Sequence, residues 1–67
     1  MEIILNNRNE SLEADQLTIN ELLAVKNFTF KMLVVKVNGE LVRRRDFDSA
    51  TVKDGDDVMV LHLITGG

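Results

Sequence analysis

Lys31-Met32-Leu33-Val34-Val35-Lys36-Val37-Asn38-Gly39-Glu40-Leu41-Val42 is the stretch that decides the fold. Leu33, Val35 and Val37 fall on one side of an extended chain, and Met32, Val34 and Lys36 on the other. That period of two, in a run rich in β-branched valine, predicts a strand. Asn38-Gly39 ends it: asparagine followed by glycine accepts two successive positive φ angles, as a two-residue hairpin turn requires. Glu40 to Val42 is therefore expected to run back briefly beside the strand.

Upstream, Thr18 followed three residues later by Glu21 is a capping box, in which hydroxyl and carboxylate each satisfy a free amide at a helix start. Ile19, Leu22 and Leu23 follow at helical spacing, and the helix ends near Lys26-Asn27. It is short and offers one apolar stripe that needs a sheet to cover it, with Phe28 and Phe30 sealing the junction. Further upstream Met1, Ile3 and Leu5 alternate with Glu2, Ile4 and Asn6, again the period of a strand. Asn6 to Asn9 reads as a turn into a second strand carrying Leu12 and Ala14 on one side. Downstream, Arg43 to Asp48 is a polar connection anchored by Phe47, Asp54-Gly55-Asp56 marks a turn, and Val58 to Ile64 forms a last strand. There Val58 and Val60 lie opposite Met59, Leu61 and Leu63. The order predicts an α+β fold: a mixed sheet of four to five strands packed on one main helix. Residues 1–64 form the domain and 65–67 a flexible tail.

With 67 residues, and an ordering cost on the order of 1.5 kcal/mol for each, the chain supports one compact domain and little surplus. A deep substrate pocket would hollow out its only core. The absence of cysteine removes disulfides, thiolate zinc sites and a cysteine nucleophile together, and fits a reducing cytoplasm. Met1 to Leu5 has no basic region ahead of its apolar stretch, and Met32 to Val35 and Val58 to Leu61 are too short to span a membrane. A soluble, unprocessed cytoplasmic protein with no membrane partner is expected. A net charge of -3, with no stripe of basic and aromatic residues to offset it, argues against nucleic acid.

Gly66 and Gly67 add backbone entropy and no packing, so they would finish a strand poorly, but without Cβ atoms they suit being threaded through a narrow channel. On the dipeptide alone, a frayed terminus explains them equally well. Asn38-Gly39-Glu40-Leu41-Val42, Arg45-Asp46-Phe47, Lys53-Asp54-Gly55-Asp56 and Gly66-Gly67, taken in order, resemble the ThiS family of thiamine-biosynthesis sulfur carriers over essentially the whole chain. Each part alone is weak, Asn-Gly and Asp-Gly-Asp being ordinary turn signals; the order, the spacing and the Gly-Gly ending are specific together. Where members often read Val-Pro-Arg, this chain has Val42-Arg43-Arg44.

The resemblance implies a ubiquitin-like β-grasp fold and a protein whose own side chains catalyse nothing. It implies that the Gly67 carboxylate is adenylated by an adenylyltransferase related to the ubiquitin-activating enzymes, converted to a thiocarboxylate, and used by a thiazole synthase. Thr65, Gly66 and Gly67 would be the threaded tail. A sulfur donor such as a cysteine desulfurase is a further implied partner. ATP is consumed by the activating partner, and no cofactor binds this chain, which is expected to be a monomer when free. The small subunit of molybdopterin synthase shares the Gly-Gly ending and the adenylation chemistry. Against that alternative stand the short length and Ile64-Thr65, where that family often places prolines. A ubiquitin-like binding module or modifier without thiocarboxylate chemistry is the reading from a different class.

Among the side chains, Val34, Met59 and Leu61 are expected on the sheet face turned away from the helix, where they would mark a partner interface. His62, the only histidine, cannot make a zinc site without cysteine or a second histidine; a structural or contact role is expected, with contact to a partner that grips the tail as the secondary reading. Arg43, Arg44 and Arg45 form the only basic run; such a run is commonly a solvated loop, and Arg43 is kept as an interface candidate. Asp54, Asp56 and Asp57 lack the alternating ligands and distal glutamate of a calcium loop, and no glycine-rich phosphate loop precedes the helix. No metal site is expected.

Overall fold

A computed structural model describes residues 1–29 and 32–63. Strands β1 (Glu2–Leu5) and β2 (Arg8–Ser11) form the amino-terminal hairpin, followed by β3 (Gln16–Thr18) and the helix α1 (Ile19–Val25). Then come β4 (Leu33–Val37), β5 (Glu40–Val42), a short 3-10 turn at Arg44–Asp46, β6 (Thr51–Lys53) and β7 (Asp57–His62). Five strands make one mixed sheet in the order β2-β1-β7-β4-β5, and β3 and β6 make a two-stranded ribbon. β1 and β7 run parallel at the centre, while the other neighbours are antiparallel.

Both hairpin turns use consecutive positive φ angles, Asn6 and Asn7 (52° and 67°) and Asn38 and Gly39 (51° and 84°). These are the mirror-image turns whose twist matches that of the strands they join. The helix begins on the anticipated capping box: the Glu21 amide donates to Thr18 Oγ1 (3.1 Å) and the Thr18 amide donates to Glu21 Oε1 (2.8 Å). It ends on left-handed Asn27 (φ 58°), with the Phe28 amide donating to the Leu23 carbonyl (2.8 Å) and the Asn27 amide to that of Ala24 (3.1 Å). That double closure satisfies the last carbonyls and directs Phe28 back onto the core.

Seven helical residues would not hold together in isolation; α1 stands because Ile19, Leu22 and Leu23 are buried against the sheet. Full burial of each such side chain contributes about 1.5–3 kcal/mol. Ile3, Leu5, Val35, Val58 and Val60 supply the sheet's side of the core, and Phe47 and Val52 close it from the long connection.

Two features depart from the sequence expectation. The second strand ends at Ser11, although its pairing reaches Leu12, whose amide donates to the Met1 carbonyl (2.8 Å) and whose carbonyl accepts from the Met1 amino group (2.7 Å); that amino group also donates to the Ala14 carbonyl (2.9 Å), where the chain has left the strand. Leu12 still packs on the core. The ribbon of β3 and β6 was not anticipated: Leu17 lies opposite Val52, which is fully buried, and the two strands sit far apart in the chain. Phe30, expected at the helix–strand junction, lies outside the described residues.

Candidate functional site

Alternation along β1, β4 and β7 sends Ile3, Leu5, Val35, Val58 and Val60 into the core, so their neighbours must emerge on the opposite face. Val34 lies directly across from Leu61 in the β4–β7 ladder, and Lys36 across from Met59. On its other side Lys36 faces Leu41 of β5. Ile4 shares this face from β1, through its pairing with Asp57. The three side chains expected to form an interface, Val34, Met59 and Leu61, are therefore brought together on the open face. Ile4, Leu41 and Met32 enlarge the patch with exposed apolar surface. A shallow groove of about 280 Å³ runs between Met59, Leu61, Gly39 and the stem of Lys36.

His62 does not belong to that patch. It keeps the parity of Val58 and Val60 and faces Leu33 across the ladder. It is exposed beside a small cavity shared with Asn6, Phe28, Leu33 and Val60, on the helix side of the sheet. Arg43 is exposed where β5 ends, alongside Arg44 and Arg45. Thr65, Gly66 and Gly67 lie outside the described residues. The last described contact before them is the Leu63 amide donating to the Met32 carbonyl (2.9 Å), which continues the β4–β7 ladder past His62.

The acidic turn is occupied with structural work. Asp54 Oδ1 accepts from the Glu2 amide (2.7 Å), and Asp56 accepts from the Lys53 amide (2.8 Å) and from Asn38 Nδ2 (3.1 Å). Asn38 Oδ1 in turn accepts from the Asp57 amide (2.9 Å), so the β4–β5 turn is stitched to the start of β7. Among the described residues no group of three His, Asp or Glu side chains converges as a metal site, and no helix is long and apolar enough to cross a membrane.

Sequence reasoning missed Asn6. Its Oδ1 accepts from the Val60 amide (2.8 Å) just where β1 has run out, so that the side chain extends the hold of β1 on β7. Its left-handed backbone was legible as a turn; the destination of its side chain, 54 residues along the chain, was not.

The fold thus pairs its first and last strands in parallel at the centre, lays one capped helix across a five-stranded mixed sheet, and leaves an apolar face open. The ThiS family model matches residues 2–67. The chain belongs to the ThiS family. A crystal structure of the thiamine biosynthesis protein ThiS from Geobacter metallireducens is similar at 38% identity and a TM-score of 0.86, with 100% of both chains covered. An NMR solution structure of a thiamine biosynthesis protein from the same organism is similar at 35% identity and a TM-score of 0.81, covering 100% of this chain and 88% of the other. No curated protein sequence matches significantly. The ubiquitin-like β-grasp architecture expected of a ThiS member is the one observed. Its departure at Arg43 is mild for the backbone, because Arg43 sits at φ -78°, close to the angle proline imposes. The change leaves the course of the chain and adds a cation.

Proposed function

We propose that the protein carries sulfur for thiamine biosynthesis on the C-terminal carboxylate of Gly67. The observation that carries this reading is membership of the ThiS family over residues 2–67, a match that reaches the glycine pair itself. A free carboxylate is a poor electrophile. On an adenylating partner, its oxygen attacks the α-phosphorus of ATP and pyrophosphate leaves, giving an acyl-adenylate. A hydrosulfide-level nucleophile derived from the sulfur donor then attacks the carbonyl carbon and AMP leaves, so that Gly67 becomes a thiocarboxylate. That sulfur, a better nucleophile than the oxygen it replaces, passes to a thiazole synthase, and the carrier returns to its acid form.

In this reading the domain contributes recognition. Val34, Met59 and Leu61, with Ile4 and Leu41 around them, form the apolar surface on which the activating enzyme seats the domain before the tail enters its active site. A methionine within the patch suits a carrier that meets an activator and then an acceptor, since its unbranched side chain adapts to different surfaces.

The experiment is intact-mass analysis after incubation with ATP, the cognate activating enzyme and a sulfur donor. The expected result is replacement of one oxygen by sulfur, confined to the C-terminal peptide. Recovery of the unmodified acid alone refutes the carrier reading.

A further inference from the structure

The β4–β5 ladder stops at Val35 opposite Val42, while β4 itself continues through Val34 and Leu33. In a two-residue hairpin closed by Val37 and Glu40, hydrogen-bonded and non-hydrogen-bonded pairs alternate away from the turn. Val37 and Val35 therefore direct their amides and carbonyls toward β5, and Leu33, two residues further on, directs its own the same way. No β5 residue lies opposite Leu33, because the chain turns off at Arg43 into the 3-10 turn. What remains is a notch of about 350 Å³ at the sheet edge, with Leu33, Leu41 and Val42 as its walls and Arg43, Arg44 and Arg45 around its rim.

The charge on that rim is not answered from within. The three arginines belong to a chain with 8 basic and 11 acidic residues and a net charge of -3, and all three are exposed. Among the described residues the one ion pair joins Lys26 to Glu10, on the other side of the sheet order. Asp48, in the same connection as the arginines, has its carboxylate on Asn20 Nδ2.

We propose that this notch docks an extended acidic segment of a partner protein, with its backbone beside Leu33 and its carboxylates over Arg43, Arg44 and Arg45. An open strand edge above apolar walls fits a polypeptide, and a fork of guanidinium groups selects one bearing carboxylates. Nucleic acid fits less well, since among the described residues no aromatic ring lines the notch and the chain as a whole is acidic. The notch borders the open-face patch, sharing Val34 and Leu41 with it, but reaches neither Met59 nor Leu61 and does not depend on chemistry at Gly67.

The test is a two-dimensional amide NMR titration of the full chain with a capped hexapeptide alternating glutamate and valine. Its lysine–valine counterpart, inorganic phosphate and a uridine hexanucleotide are run in parallel. Saturating shifts at Leu33, Leu41 and Arg43 to Arg45 are expected with the acidic peptide alone, leaving Met59 and Leu61 unmoved. Replacing the rim by Arg43→Gln, Arg44→Gln and Arg45→Gln together should weaken binding roughly tenfold, about a factor of two for each exposed ion pair. Amide dispersion of that variant serves as the folding control. Undiminished binding by the folded variant, absence of saturable shifts, or equal shifts with phosphate or the oligonucleotide would overturn the proposal. Sulfur loading of Gly67 is read separately by mass, so either idea can fail without the other.

Discussion

Leu61→Glu places a carboxylate in the middle of the open face, and its effect can be apportioned between folding and binding. Leu61 is 44% exposed, so a little over half of its side chain is already covered by the free domain. Taking about 2 kcal/mol for complete burial of a leucine, the substitution removes ~1 kcal/mol of folding stability. A domain of this length, at about 0.1 kcal/mol per residue, has ~7 kcal/mol in hand and remains folded. The uncovered part, worth ~1 kcal/mol, is gained only when a partner covers it. Covering a glutamate instead also strips water from a charge, so the total loss of affinity should reach about 2 kcal/mol, or roughly thirtyfold in Kd. Met59→Glu should behave similarly, since Met59 is half-buried two residues away on the same face. Val25→Glu is the control: Val25 is 59% exposed on the helix, away from the sheet's open face. Calorimetric titration with the activating enzyme measures binding, and thermal melts followed by circular dichroism measure folding. Folded Leu61→Glu and Met59→Glu proteins that bind within twofold of the parent, or an equal loss for Val25→Glu, would refute the assignment of the interface.

Asn6→Gly keeps the positive φ but removes the acceptor for the Val60 amide, and should cost about 1–2 kcal/mol in urea unfolding. Asn6→Ala should cost about 1 kcal/mol more, because alanine must also occupy a left-handed conformation. Thr18→Ala removes half of the capping box and should lower stability by about 1 kcal/mol without altering binding to the activating enzyme. Deleting Gly66 and Gly67 should leave the urea midpoint unchanged, because neither glycine has a side chain to place in the core, yet abolish ATP–pyrophosphate exchange by the partner; persisting exchange would show the reactive group misplaced.

The sequence by itself determined those elements whose signals are local. Alternation from Leu33 to Val37, the Asn38-Gly39 turn, the capping box of Thr18 and Glu21, and the parity of Val58 against Met59 all act within a few residues. They were enough to place Val34, Met59 and Leu61 on a common face, because side-chain direction in a strand follows from counting. Only the tertiary structure decided where distant segments meet. β3 and β6 are three residues each, too short for a period to be read, and Leu17 and Val52 become core positions only through their pairing. His62 shares the parity of buried Val58 and Val60 yet is exposed. Asn6, Asp54 and Asp56 look like turn residues in the chain, and as turn residues they serve. Their side chains also bind segments that the fold brings beside them, through the amides of Val60 and Glu2 and the side chain of Asn38. The arginine-rimmed notch likewise exists because β5 ends before β4 does, a mismatch between two strands that neither segment encodes alone.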